Sequence, residues 1–254
     1  MVFLAGCGHH RVPPVAATGP TAPPVAPPAE PAAETPTAPP PAKPAALSTR
    51  IPITPAPAGG IDSTDLGFVL AHRPIFTEVG VASWYTAPYK GRHSANGQVF
   101  SDDTLTAAHR TLPMGSLIVV TNLATRQQQV MRITDRGPFV PDKIIDLTIA
   151  SAKAIGVYRA GIARVRVDVY ETPKPIDTGG RWCVQIGAFK SEHKAEELKA
   201  ELLHDYPGSN VIEFSGEAVY WVRIRPAGDD REQAEHIAKH LHPAEGDAYL
   251  TRLD

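Results

Sequence analysis

The chain lacks any stretch of the roughly 18 or more consecutive apolar residues that a membrane-spanning helix needs. It also lacks an excess of either charge. Twenty-five Lys and Arg nearly balance 27 Asp and Glu, leaving a net charge of -2 and none of the basic footprint of a nucleic-acid binder. Cysteine is almost absent. Cys7 and Cys183 are the only two, and a bridge between them would close a very long loop, so no disulfide framework is expected. The ten histidines show no ligand spacing beside cysteines or acids, so neither a metal site nor a cofactor is expected.

Proline is abundant and unevenly spread, with 16 of the 26 before residue 60. Residues 8–77 read as a Pro/Ala-rich disordered tether, with 61–77 as its transition into folded sequence. As polyproline II at about 3.1 Å per residue, the tract would reach on the order of 100 Å or more. Ahead of it stands Leu4-Ala5-Gly6-Cys7. This tetrapeptide resembles a bacterial lipobox, whose cysteine is acylated; against that stands a chance match. Only Met1 to Leu4 precede it, so residues 1–7 read as a truncated lipoprotein signal. Gly8, rather than Asp, after the cysteine is similar to an outer-membrane address. The expectation is a lipid-anchored periplasmic protein of the outer membrane.

From Val79 the pattern changes. Val79–Tyr85, Ser116–Asn122 and Gln129–Thr134 read as strands rich in β-branched residues, and Ile144–Leu147 as a short buried run. Thr148 is placed to cap a short helix through Ile155, closed by Gly156. Arg164–Tyr170 alternates, with Val165, Val167 and Val169 on one face. Short strands, frequent turns and one small helix predict a compact β-barrel over 78–171. Pro173, Pro175 and Gly179-Gly180 mark a linker over 172–180.

Residues 181–254 keep a different rhythm. Trp182–Phe189 reads as a strand, and Ser191 opens a helix with Ala195, Leu198 and Leu202 at helical spacing. Val211–Phe214 and Ala218–Ile224 are strands. Asp229 and Glu232 form a capping-box pattern before a second helix, and Tyr249–Leu253 is a last strand. The order βαββαβ predicts a ferredoxin-like α+β domain.

Polar residues cluster in the first domain, in Ser94–Gln98, Leu105–His109, Thr134–Phe139 and Ile144–Leu147. Asp135 ends a strand before Arg136 and a Gly-Pro turn, a place for a groove acid or simply for a turn cap. Asp146 lies between Ile145 and Leu147; if buried it needs a partner, for which Arg136 or Arg132 is available. His109 follows two alanines and is either functional or a satisfied structural histidine.

Gly80-Val-Ala-Ser-Trp-Tyr85, Ala95-Asn-Gly97, Leu105-Thr-Ala-Ala-His109 with Thr111-Leu-Pro113, Val120-Thr-Asn-Leu123, Asp135-Arg-Gly-Pro-Phe139 and Ile144-Ile-Asp-Leu147 occur in one order. Together they resemble the rare lipoprotein A family over about residues 78–170. The resemblance implies a double-psi β-barrel, the fold shared with expansins and barwin-like domains. Trp182-Cys-Val-Gln-Ile-Gly-Ala-Phe189 and Tyr220-Trp-Val-Arg-Ile224 are similar to the sporulation-related repeat (SPOR) domain, which binds septal peptidoglycan and favours strands stripped of stem peptides. One departure is visible: the second motif usually continues to Gly-Pro, and here it reads Arg225-Pro226.

The resemblance implies a lytic transglycosylase that cleaves the β-1,4 bond between N-acetylmuramic acid and N-acetylglucosamine, leaving a 1,6-anhydro end. It would act during septation and daughter-cell separation. Asp135 matches the family's proposed catalytic Asp, with His109 and Asp146 in support. The family usually carries Glu directly after Ala-Asn-Gly. Here that position is Gln98, which cannot exchange a proton, and loop acids Asp102 or Asp103 are the nearest replacements. Trp84, Tyr85, Asn96 and Arg136 are candidates to hold glycan in the first domain, and Gln185, Phe189 and Trp221 in the second. The partners expected are peptidoglycan strands, a membrane through Cys7, and division-site proteins. Gln98 also keeps open a non-catalytic wall-binding lipoprotein and expansin-like loosening.

Overall fold

A computed structural model of the protein describes residues 62–86, 91–214 and 219–254. The lipobox, Cys7 and residues 8–61 lie outside the described residues. Six strands close a barrel: β1 (Phe76–Trp84), β2 (Thr106–His109), β3 (Leu117–Asn122), β4 (Gln128–Asp135), β5 (Lys143–Leu147) and β6 (Ala163–Glu171). Around the barrel they run β1-β5-β2-β4-β3-β6. Two pairs, β1/β5 and β2/β4, are parallel, and the other four are antiparallel. This mixed closed sheet is a double-psi β-barrel. Four residues from Thr106 to His109 gave no strand pattern in the sequence, yet β2 is the strand that joins β5 to β4.

The barrel is filled by alternate residues of every strand, among them Ile118, Val120, Met131, Ile133, Ile145, Leu147, Val165 and Val167. Short helix α2 (Ile149–Ala154) seals one end with Ala150, Ala152 and Ala154, and Thr148 caps it as expected by accepting from the Ser151 amide. Strand β3 is buried on both faces. Its inward residues fill the barrel, while Leu117 and Val119 meet Leu66, Phe68 and Val69 of helix α1 (Ser63–Ala71).

That helix corrects the tether's expected boundary at residue 77. Asp62 accepts from the Thr64 amide at 2.8 Å and caps α1. Asp65 then forms a bidentate pair with Arg132 of β4, at 2.9 and 2.5 Å. An apolar side and a paired acid dock the segment on the barrel wall, and β1 begins at Phe76.

The second domain carries β7 (Trp182–Phe189), α3 (Glu192–Leu202), β8 (Ser209–Phe214), β9 (Val219–Ile224), α4 (Arg231–His240) and β10 (Asp247–Arg252). Its antiparallel sheet runs β10-β7-β9-β8. This is the expected βαββαβ order. Trp182, Val184, Ile186, Phe189, Val222 and Ile224 face Ala195, Leu202, Ala234 and Ile237 of the helices. The cap of α4 differs by one residue from the reading. Asp230 accepts from the Gln233 amide at 2.8 Å, whereas Asp229 takes a left-handed backbone (φ 55°) and pairs with Arg225 at 2.8 and 2.6 Å.

Barrel and sheet belong to one compact unit within Arg50–Asp254. The face of the sheet away from its helices lies against barrel loops. Phe139 meets Trp221 at 4.9 Å and Tyr249 at 5.9 Å between ring centroids. The Arg252 amide donates to the Arg110 carbonyl at 2.9 Å. Leu147 sits wholly buried between β1 and β2. Leu147→Ala should therefore cost about 2–5 kcal/mol of stability, read by chemical denaturation.

Candidate active site

The site begins with a one-residue irregularity in β4. Ala107 pairs with Ile133, but Ala108 pairs with Asp135, so Thr134 is skipped. Side chains alternate between faces, and a one-residue shift moves every later residue to the other face. Ile133 and Ala107 point into the barrel core. The bulge therefore turns Asp135 to the outer face beside Ala108. On the other side of β2, Ala108 pairs with Asp146, which in turn pairs with Ser83 of β1. Four neighbouring strands thus present Asp135, Ala108, Asp146 and Ser83 at one level of one face. The two acids stand two strand spacings apart, about 10 Å between Cα atoms.

Both carboxyl groups are held above the ordinary Asp range. For each the first cause is burial, which penalises the charged form. Asp135 accepts from the Ala95 amide at 3.1 Å and its neighbour's amide, that of Arg136, at 2.9 Å. A hydrogen bond from Tyr85 also favours its ionised form, but these effects offset burial only in part. Asp146 accepts from the Ser83 hydroxyl. Neither expected arginine is its partner: Arg132 is taken by Asp65, and Arg136 donates to backbone carbonyls.

Arg136 is a clamp. One terminal nitrogen donates to the carbonyls of His109 (3.0 Å) and Leu112 (2.7 Å), and the other to that of Asp254 (2.7 Å). Burial brings its pKa down to about 10. Arg110 fixes the far side of the same turn by donating to the Pro138 carbonyl at 2.7 Å, and it lies over the Tyr249 ring.

A cavity of about 930 Å³ opens over the two acids. Of the residues singled out in the sequence, Asp135, Asp146, Tyr85, Arg136, Gln185 and Trp221 line it. His109 does not. Its Nδ1 accepts from the amides of Thr111 and Leu112, so Nε2 carries the proton and donates to Glu78 at 3.1 Å. Burial, the largest effect on the ring, keeps it neutral. His109 therefore shapes the turn whose carbonyls hold Arg136. Gln98 and Asn96 bond each other on an exposed turn, Nδ2 of Asn96 to Oε1 of Gln98 at 2.9 Å, and neither lines the cavity. Trp84 packs on Tyr158 against the barrel core. Phe189 is buried beneath the helices. Asp102 accepts from Thr86, Asp103 is exposed, and both stay outside.

Ala108 and Phe139 were not singled out individually. Ala108 has no polar atom to mark it, and its place between two acids exists only after β2 pairs on both sides. Phe139 stands in the sequence only as the end of the Asp135–Phe139 motif, and its role depends on the second domain. Among the described residues no group of three or more His, Cys, Asp or Glu could hold a metal ion. Cys183 is buried as a free thiol, and burial pushes its pKa up to about 11.

The fold and site define a two-domain protein with a double-psi barrel bearing two half-buried carboxyls on one face and a SPOR-type sheet domain. Residues 77–167 match the DPBB_1 family model, described as lytic transglycolase, and residues 178–252 match that of the SPOR domain. The chain is similar to the endolytic peptidoglycan transglycosylase RlpA of Campylobacter jejuni, 36% identical over 148 residues, which are 49% of this chain and 54% of that protein. It is likewise similar to the protein of that name in Helicobacter pylori, 30% identical over 202 residues, covering 68% of this chain and 62% of that one. A probable RlpA of Synechocystis is 48% identical over 92 residues, 36% of this chain and 29% of the relative. The chain thus spans less than two thirds of these relatives' lengths. It carries both domain types in this order and is similar to the RlpA proteins across each of them.

Since burial raises the Asp135 pKa, the folded protein binds this proton more tightly than the unfolded chain. The ionised group therefore lowers stability above the raised pKa, and the penalty fades as pH falls towards the ordinary Asp range. Asp135→Asn keeps an acceptor for both amides and removes the charge. Its melting temperature should exceed wild type at pH 7 by about 2–4 °C per kcal/mol gained, with the gain vanishing near pH 3.

Proposed function

We propose that this protein is an endolytic lytic transglycosylase of peptidoglycan, acting on glycan strands poor in stem peptides. The observation that carries this reading is the placement of Asp135 and Asp146 on one face, on either side of Ala108, under one cavity. A carboxyl whose pKa is raised by burial keeps more of its protonated form, and that form can donate to the glycosidic oxygen as its bond to the muramic C1 breaks. The muramic O6 then bonds to C1, and the Asp135 carboxylate takes the O6 proton. The acid is regenerated, no water is consumed, and the product is a 1,6-anhydro end. Asp146, also in the cavity, is placed to balance the positive charge that develops on the sugar ring. His109 and Arg136 act as positioning residues by fixing the turn after Asp135.

The wider reading places the protein in the cell envelope, bound to peptidoglycan through its SPOR domain. Support comes from that domain and from the names of the relatives. Finer assignments rest on the sequence alone: an acyl anchor on Cys7, an outer-membrane address, enrichment at the septum and division-site partners. One observation favours the alternative of a non-catalytic or expansin-like wall binder. Gln98 is an amide where the family usually carries Glu, and it sits on an exposed turn of the loop that donates to Asp135.

Digestion of amidase-treated, peptide-free glycan with mass analysis for anhydro ends separates these readings. Asp135→Asn should lower release by a hundredfold or more while sacculus binding persists. Rates should also fall as pH rises through the raised Asp135 pKa, because the donating form is lost. Inactive wild type that gains activity in Gln98→Glu would instead make this a binding version of an enzyme scaffold. For the anchor, the protein expressed in its natural host should fractionate with outer membranes, and Cys7→Ala should release it. Equal membrane association of the variant would end the lipidation assignment.

A further inference from the structure

A carboxylate outside the cavity stands behind the turn that carries Asp135. Glu78 lies on β1 ahead of Val81, where the pairing of β1 with β5 begins. Its Oε2 accepts from Nε2 of His109, the last residue of β2, at 3.1 Å. The His109 side chain is 5% exposed and that of Glu78 33%. Burial acts to raise the Glu78 pKa, but the hydrogen bond from His109 and the charge of Arg110 outweigh it and hold the group below the ordinary Glu range. Glu78 does not line the cavity.

A carboxylate on a histidine serves one of two ends. It raises the basicity of a ring that takes a proton from substrate, or it fixes a ring that acts as a brace. The other ring nitrogen decides between them. Here Nδ1 accepts from the Thr111 amide at 3.2 Å and the Leu112 amide at 3.1 Å, so no lone pair is left for a substrate proton. The ring is a strut between Glu78 and the backbone of 109–112. The carbonyls of His109 and Leu112 then hold Arg136 Nη1, and the Arg136 amide donates to Asp135 at 2.9 Å. Arg110, whose charge also acts on Glu78, fixes the far side of the same turn at the Pro138 carbonyl.

We propose that Glu78 is a further positioning residue of this site, its carboxylate fixing the His109 ring and through it the turn that carries Asp135. The proposal rests on the transglycosylase reading only where turnover is measured. Glu78 supplies an accepting oxygen in the right place, not a proton path, because the bond it receives comes from a neutral ring N–H. A side chain that keeps the acceptor therefore keeps the turn. One that loses it loosens the turn without opening the barrel, since the β1 ladder to β6 is made by backbone.

The test uses the full chain with Glu78→Met, which removes the acceptor at similar length, and Glu78→Gln, which keeps an oxygen there. Amide hydrogen exchange followed by NMR needs no activity. In Glu78→Met the Leu112 and Arg136 amides should exchange about tenfold faster or more, with the amides of β3 unchanged, and Glu78→Gln should bring both back to within about twofold of wild type. Nitrogen shifts of the wild-type His109 ring should show the Nε2–H tautomer at neutral pH, which checks the strut with no substitution at all. On peptide-free glycan, Glu78→Met should lower kcat about tenfold or more with KM within about twofold, and Glu78→Gln should recover most of that loss. A charged or Nδ1–H ring overturns the proposal. So does unchanged exchange in Glu78→Met, faster exchange spread evenly over the barrel, full kcat in Glu78→Met, or a Glu78→Gln chain as impaired as Glu78→Met. If Glu78→Met does not fold, the wild-type ring and Glu78→Gln exchange carry or overturn the strut. Wild type that releases no anhydro ends removes the transglycosylase reading, while exchange and ring tautomer still decide the role of Glu78.

Discussion

Closure of the barrel through β2 is the constraint on which the site depends. This strand has only four residues, yet it pairs in parallel with β4 and antiparallel with β5. Without it the sheet would be open between those two strands, and Asp135 and Asp146 would have no common neighbour. With it, one small residue, Ala108, holds both acids at a fixed spacing on one face. The bulge opposite Ala107 and Ala108 then decides which face Asp135 takes. Placing two acids on a closed and therefore stiff sheet keeps the pair in position while burial raises their pKa values.

The second consequence of this arrangement is a crowded turn. Residues 135–139 must leave β4, carry an acid, and receive the other domain. Arg136 binds three carbonyls from two directions, and Arg110 fixes Pro138. Phe139 is thereby presented to Trp221 and Tyr249. The same five residues thus connect the acid to the domain contact. His109 belongs to this support: a neutral ring, hydrogen-bonded at both nitrogens, has little capacity left for proton transfer to a sugar but much for holding the turn below Arg136.

The SPOR-type sheet gains a different meaning in this setting. One face is covered by its own helices, and the other meets the barrel, so polar residues such as Gln185 and Arg223 become walls of the half-open cavity. Partial shielding from water strengthens electrostatic interactions at this wall. It also makes each unpaired donor costly, which is why the partners of these residues matter more here than on an open sheet face.

Much of the architecture was legible in the chain itself. Alternation in Arg164–Tyr170 and β-branched runs such as Ser116–Asn122 marked strands because burial on a sheet has a period of two. The βαββαβ order followed from a clean change of period after residue 180, and Asp135 and Asp146 stood out as acids in apolar, turn-rich surroundings. Helix α1 was missed because its apolar side is short and its stability comes from Asp65 meeting Arg132, a residue 67 positions away. Strand β2 was missed because four residues carry too little periodicity, and the capping of α4 slipped by one because adjacent aspartates look alike until one is drawn to Arg225. Only the tertiary structure decided that Asp135 shares a face with Asp146, that Trp84, Phe189 and His109 stay off the cavity, and that Gln185 and Arg223 join it. Each of these depends on which strands become neighbours and where a bulge falls. Such choices are set by long-range pairing, whereas a sequence pattern reports only the local face.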